Sequence, residues 1–184
     1  MEKLKTLNTT ILIIEKDNKI LLGQKKRGFA KGVFIGIGGK QDPNETIDQT
    51  MIRETQEEIG VTPTVYDKVG VIYFDTYYKG EHCNLILNIY KATDFVGTPI
   101  ETDEILPMWF DKNNLPYDQM LEDDIFWMQH VLGGKCVTGK VVFDENLKMQ
   151  SNTIKPCEKQ EIQTLWWYFM VFFTQSTVFW FCDT

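Results

Sequence analysis

The chain has 184 residues, enough for one domain with an appended segment and too few for two full domains at roughly 150 residues each. Nineteen Lys and Arg against 26 Asp and Glu leave a net charge of −7, which argues against a broad electrostatic grip on a nucleic-acid backbone, although a local basic cluster can still hold a small anion. With 43% hydrophobic and 24% charged residues, the composition is that of an ordinary globular protein able to bury a core.

Taken in chain order, Thr9 to Ile14 and Ile20 to Leu22 read as β-rich runs. The polar turn Glu15-Lys16-Asp17-Asn18-Lys19 splits them, which predicts an opening hairpin. Gly28, Gly32, Gly36, Gly38 and Gly39 then alternate with Val33, Phe34, Ile35 and Ile37, the pattern of a loop and short strand whose backbone approaches something closely. Asp42-Pro43-Asn44-Glu45 is a turn, and Thr46 with Gln49 forms a capping box that starts a helix. Gly60 fits the C′ position of that helix, and Pro63 bars its resumption. Val69 to Tyr78 and Cys83 to Tyr90, split by Lys79-Gly80-Glu81, predict a second hairpin. Gly97-Thr98-Pro99 turns the chain before a strand at Pro107 to Phe110. Glu122-Asp123-Asp124, followed by Ile125, Phe126, Met128 and Val131, predicts a second helix with carboxylates at its positive end. Cys136 to Phe143 reads as the final strand. Hairpins argue for antiparallel pairs, so the expected class is α/β of the α+β type, a sandwich with a mixed sheet rather than a doubly wound fold.

The four cysteines, Cys83, Cys136, Cys157 and Cys182, form no C-x-x-C pair, so neither a zinc knuckle nor a thioredoxin-type motif is expected, and free thiols are. His82 and His130 lie near no nucleophile and read as ordinary polar residues. The apolar run Ile11 to Ile14 is too short for a signal peptide, which implies a cytoplasmic protein. From Leu165 to Cys182 there is no charged residue, and nine of the eighteen positions are aromatic. That run is at the short limit of a membrane span and is broken by Thr174-Gln175-Ser176-Thr177, so membrane contact through 165–182 is not favoured over packing or an extension outside the working domain. The expected organisation is a domain over 1–157 and an aromatic-rich extension over 158–184.

Chemistry concentrates between Gly39 and Val61, where Gly39, Glu45, Arg53, Glu54, Glu57, Glu58 and Gly60 follow the spacing G-x5-E-x7-R-E-x2-E-E-x-G. On a helix Glu54, Glu57 and Glu58 fall in one sector, while Ile52, Thr55 and Ile59 fall on another that can pack. Like charges at i,i+4 each cost a helix about 0.2–0.5 kcal/mol unless a cation sits among them. Hard oxygen ligands of this kind suit Mg2+ or Mn2+ together with substrate phosphates. Arg53 can reach Glu57 at i,i+4 and hold it in position. Upstream, Lys25-Lys26-Arg27 is either a solvated basic turn or, through Lys25, a counter-charge for a triphosphate.

The motif resembles the Nudix box, with Thr55 standing where that family usually has an aliphatic residue. Lys25-Lys26-Arg27-Gly28-Phe29, Gly36-Ile37-Gly38-Gly39-Lys40, Leu21-Leu22-Gly23, Gly97-Thr98-Pro99, Asp103-Glu104, Trp109-Phe110 and Asp123-Asp124 are similar to one branch, the oxidised purine nucleoside triphosphate hydrolases or animal MutT homologues. The resemblance spans about Thr9 to Phe143 and leaves out the aromatic tail. It implies a Nudix-fold α/β/α sandwich with its signature helix at about 46–59, and Mg2+-dependent cleavage of 8-oxo-dGTP or 2-hydroxy-dATP to the monophosphate and pyrophosphate. By the same resemblance Glu57 and Glu58 act in catalysis with Arg53. Glu54, Glu57, Glu58 and Glu104 hold Mg2+ (or Mn2+) beside Gly38 and Gly39. Thr10, Lys25, Phe29, Gly38, Gly39 and Lys40 line the nucleotide site, and Asp123 and Asp124 read the base edge. A carboxyl pair with one proton offers a purine both a donor and an acceptor; at the start of a helix the same pair also reads as a simple charge pair. Ile35 stands where the branch has a base-binding asparagine, and Leu121 where it has a stacking tryptophan. These two departures keep a dinucleoside polyphosphate or nucleotide-sugar hydrolase open as an alternative, and the aromatic tail keeps open a non-catalytic binding module that docks through it. The expected partner is a small nucleotide rather than a nucleic acid, and the expected state is a monomer.

Overall fold

Strand β1 (Lys5–Lys16) is buried on both faces. Leu12 and Ile14 point into one apolar cluster and Ile13 into another, so this strand needs a covering layer on each side of its sheet. The computed structural model, which describes residues 4–28 and 30–162, supplies those layers with two helices. Helix α1 (Ile47–Ile59) contributes Ile47, Met51 and Ile59 to the Leu12–Ile14 side. Helix α2 (Asp124–Leu132) contributes Trp127, Met128, Val131 and Leu132 to the Ile13 side. The expected α/β/α sandwich is the one observed.

The other strands are β2 (Lys19–Lys25), β3 (Phe34–Ile35), β4 (Thr62–Tyr78), β5 (Glu81–Val96), β6 (Ile105–Asp111), β7 (Cys136–Phe143), β8 (Met149–Asn152) and β9 (Lys155–Cys157), with a short 3-10 turn at Tyr117–Gln119. They form a mixed sheet in the order β3-β2-β1-β5-β4-β7-β8, with β6 also on β2 and β9 also on β7. The β1–β5 and β4–β7 pairs are parallel. Asp17 and Asn18, at φ 51° and 58°, make the tight β1–β2 turn, the residue types that tolerate this conformation best after glycine.

One feature of the pairing positions the site. Strands β1 and β2 are in register only from Ile14↔Leu21 to Lys16↔Lys19, which frees the earlier edge of β1. The glycine segment occupies it: the Thr10 N–H donates to the Gly39 carbonyl at 2.8 Å and the Leu12 N–H to Ile37 at 2.6 Å. Five residues further on, α1 opens with its full capping box. Thr46 Oγ1 accepts from the Gln49 N–H at 3.2 Å, and Gln49 Oε1 accepts from the Thr46 N–H at 2.8 Å. Gly60 closes the helix at φ 73°, in the left-handed conformation that suits a C-terminal glycine.

Several elements differ from expectation. Strands β4 and β5 extend well beyond their apolar cores, with ladder irregularities at Pro63–Tyr66 and Lys68–Gly70; these accommodate Pro63, which cannot donate to the ladder, inside a strand. Strand β7 is not the last, because β8 and β9 both pair back onto it. Their residues, Met149-Gln150-Ser151-Asn152 and Lys155-Pro156-Cys157, carry no apolar alternation and are held through backbone ladders. The aromatic run 165–182 lies outside the described residues. Among those described, no helix is long and apolar enough to cross a membrane.

Candidate active site

Arg53 organises the acidic face of α1. Its Nε and Nη2 donate to the two oxygens of Glu45 at 2.7 and 3.0 Å, and Nη1 donates to Glu54 at 2.9 Å and Glu57 at 3.0 Å. Nη2 also donates to the Lys40 carbonyl at 3.2 Å. A guanidinium has five N–H donors in a fixed fork, and here each finds an acceptor. The pairing holds the Glu45 carboxyl down at about 2, chiefly through Arg53, and raises the guanidinium further.

Glu58 is treated differently. It is 5% exposed, with Oε2 accepting from the Gly38 N–H at 3.0 Å and Oε1 from Lys25 Nζ at 3.3 Å. Burial nonetheless outweighs both and pushes its carboxyl up to about 7. Burial raises the Glu54 carboxyl as well, against the pull of Arg53. Glu57 is exposed. The segment before β6 brings two more carboxylates against the end of β2 and the residues after it: Lys25 Nζ lies 3.9 Å from Glu104, Arg27 pairs with Glu104, and Lys26 bonds Glu101 and the Thr102 carbonyl at 2.7 Å each. Arg27 in turn holds the Glu104 carboxyl below its usual range.

The glycines here answer a steric demand. A Cβ on Gly39 would stand 2.5 Å from the Glu54 carboxyl carbon, and one on Gly38, at φ 153°, would collide with the Thr10 carbonyl. Thr10 itself is 3% exposed, and its hydroxyl has no hydrogen-bond partner among the described residues. Thr10, Lys25, Gly38, Gly39, Glu54 and Glu58 thus meet where the glycine strand crosses α1, with Glu104 reached through Lys25. Lys40 is exposed and uses its backbone oxygen on Arg53. Phe29 lies outside the described residues.

The remaining expected site residues belong to the layer of α2. Asp123 and Asp124 are each 3% exposed, not the solvated charge pair that a helix start invites. Asp123 occupies the N-cap position without a side-chain cap bond. Asp124 accepts from the Leu121 N–H at 3.2 Å and from Trp127 Nε1 at 3.1 Å. Burial lifts both carboxyls, Asp123 to about 6 and Asp124 further, with Asp123 adding to the rise at Asp124. The pair is therefore suited to keep one proton near neutrality. Leu121 is half-buried, as is Ile35, which stands next to core residue Phe34 on β3.

Among the described residues no three carboxylate, histidine or cysteine side chains converge as a ready metal site. Glu54 is turned to Arg53, and Glu58 to Lys25 and the Gly38 amide. The donor set still fits a hard divalent cation: it is all oxygen, and two of its carboxyls are buried enough that their charge is poorly offset by the chain's own groups. Sequence reasoning kept Glu45, Trp127 and the Gly38 amide out of the site. Glu45 was legible as the acidic residue eight before Arg53, and Trp127 as the indole three after Asp124; the amide carries no side-chain signal.

Fold and site together define a hydrolase of phosphoric anhydrides built on an α/β/α sandwich. Residues 4–132 match the model of the NUDIX domain, and the chain belongs to the Nudix hydrolase family. The oxidized purine nucleoside triphosphate hydrolase of Danio rerio is 39% identical over 134 residues, covering 73% of this chain and 85% of the fish protein. The Mus musculus protein of the same name is 32% identical over 146 residues, covering 79% and 92%. The ADP-ribose pyrophosphatase of Methanocaldococcus jannaschii is 33% identical over 122 residues, covering 62% and 70%. In structure, the chain is similar to a MutT protein from Bacillus halodurans at a TM-score of 0.72 and 24% identity, covering 81% and 97%, which supports the fold.

Two outcomes follow for this site. Arg53→Lys keeps the charge but not the fork, so kcat should fall by about 100-fold, the cost of roughly 1 Å of misplacement, with an unchanged circular dichroism spectrum. Asp123 has a folded value of about 6 against an ordinary 3.8. Folding therefore favours its protonated form, and that stability is lost as pH rises from about 4 through about 6. Urea unfolding at pH 4.5 and pH 7 should show the native protein losing stability relative to Asp123→Asn across that interval.

Proposed function

We propose that the chain hydrolyses oxidised purine nucleoside triphosphates such as 8-oxo-dGTP and 2-hydroxy-dATP, releasing the monophosphate and pyrophosphate and so clearing damaged nucleotides from the pool. The observation that carries this reading is the match to the fish and mouse oxidized purine nucleoside triphosphate hydrolases over most of their length, in a chain that keeps the Arg53-braced acidic helix intact.

Hydrolases of this family generally use a divalent metal. Here the metal is read as Mg2+, with Mn2+ able to replace it; Glu54, Glu57, Glu58 and Glu104 would hold it together with the backbone at Gly38 and Gly39. A bound divalent ion supplies positive charge to the phosphate oxygens and acidifies water. Glu57 or Glu58 accepts the proton from the attacking water, with Arg53 fixing Glu57 and the Gly38 amide fixing Glu58. Lys25 releases Glu58 and offsets charge on the departing phosphate oxygens. Thr10, Phe29, Lys40 and the two glycines line the nucleotide. Asp123 and Asp124, sharing a proton, meet the purine edge, with Ile35 and Leu121 presenting apolar surface where hydrogen bonding and stacking would otherwise act. The working unit is the domain over 1–157, read as a cytoplasmic monomer that binds a small nucleotide and no nucleic acid.

A second reading, a Nudix hydrolase of another diphosphate, is favoured by Ile35 and Leu121 and by the similarity to the archaeal ADP-ribose pyrophosphatase. Chromatographic analysis of the nucleotide products formed with Mg2+ separates the two across 8-oxo-dGTP, 2-hydroxy-dATP, dGTP, dATP, a dinucleoside polyphosphate and ADP-ribose. The proposed reading predicts preference for an oxidised purine, and a Glu58→Gln loss of about 10²–10⁴-fold, the usual contribution of a positioned acid–base group. Preference for ADP-ribose or a dinucleoside polyphosphate would favour the second reading.

A further inference from the structure

Strand β9 ends the described sheet as a three-residue piece, Lys155–Cys157, paired antiparallel with the start of β7. In that register Cys136 stands directly opposite Cys157, followed by Val137↔Pro156 and Thr138↔Lys155. Residues opposite each other in an antiparallel ladder project to the same face. Their Cα atoms are about 4.5 or 5.5 Å apart depending on the type of pair. Both spacings fall within the roughly 4.4–6.8 Å that a disulfide spans. Both thiols are free and half-buried. Burial pushes the Cys157 thiol up to about 11, with Cys136 the next contributor.

We propose that Cys136 and Cys157 are a disulfide-forming pair that fastens the C-terminal strand β9 to β7. The oxidant is a low-molecular-weight disulfide such as oxidised glutathione. One protein thiol loses its proton, and its thiolate attacks a glutathione sulfur, giving a mixed disulfide and one reduced glutathione. The second protein thiolate then attacks the protein sulfur of that mixed disulfide and expels the second reduced glutathione. Two S–H bonds of the chain are replaced by one S–S bond, and the two electrons and two protons end on glutathione. Because burial keeps both thiols largely protonated at neutral pH, the bond forms slowly in a reducing pool and accumulates when the pool is oxidised.

The geometry favours this pair over the other cysteines. Cys83 is 2% exposed on β5, where its ladder partners are Lys5 and Thr76, so it faces no thiol across either neighbouring strand. Beyond β9 the described chain is anchored by buried Ile162 and by the ion pair between Lys159 and Asp67, and Pro156 gives the β9 ladder no N–H.

The test uses the full chain, incubated at pH 8 with oxidised glutathione, alkylated with iodoacetamide and digested without reduction for mass mapping. The expected product is a single cross-linked peptide pair joining Cys136 to Cys157 within one molecule. Its formation should raise Tm by about 5 °C or more, an increase that dithiothreitol reverses. Cys136→Ser and Cys157→Ser should each remove both the cross-link and the Tm shift. Full alkylation of both thiols after oxidation would overturn the proposal, as would a bond to Cys83, to Cys182 or between two molecules.

Discussion

The rest of the site depends on one helix carrying more negative charge than it can hold alone. Glu54, Glu57 and Glu58 share a face of α1, and such crowding is tolerated only if cations or aimed dipoles stand against it. Arg53 meets most of that demand, spending all five of its donors on Glu45, Glu54, Glu57 and the Lys40 carbonyl. Lys25 and the Gly38 amide meet the remainder at Glu58. Neither set brings Glu54 and Glu58 to full neutrality, since burial still lifts both carboxyls. A helix left in this state has the oxygen donors and the poorly offset charge that a divalent cation requires.

The sheet exists, from the site's point of view, to deliver backbone to that helix. Because β2 leaves the early edge of β1 unpaired, the Ile37–Lys40 segment can add to it. The absence of side chains at Gly38 and Gly39 lets it pass against the Thr10 carbonyl and the Glu54 carboxyl. On the other side of the sheet, α2 buries a carboxyl pair in apolar surroundings around Trp127. The charged face of α1 and the buried carboxyl pair of α2 thus sit in separate layers, each tuned by its own burial.

Much of this was legible in the sequence. The capping box at Thr46 and Gln49, the left-handed Gly60, the Asp17-Asn18 turn and the acidic spacing on α1 are local signals, and each is found where the residues put it. Strand β7 was legible for the same reason: Val137, Thr138, Val141, Val142 and Phe143 are β-branched or aromatic residues within one short run. What escaped was set by partners distant in the chain. β8 and β9 carry no apolar pattern and exist because β7 offers them an edge. That Asp123 and Asp124 are buried follows only once Trp127 and the Leu121 amide are placed around them. The role of the Gly38 amide likewise follows from how the glycine strand and the helix cross, which no local pattern states.

The central claim is that the under-neutralised carboxyls of α1 bind a divalent cation. It is tested most directly by titrating the full chain with Mn2+ and following free ion by electron paramagnetic resonance, with and without a non-hydrolysable nucleoside triphosphate analogue. The account predicts saturable binding that tightens when the analogue is present and weakens when Glu54 and Glu58 are both replaced by Gln. A free Mn2+ signal that matches the same titration without protein, both with and without the analogue, would contradict it.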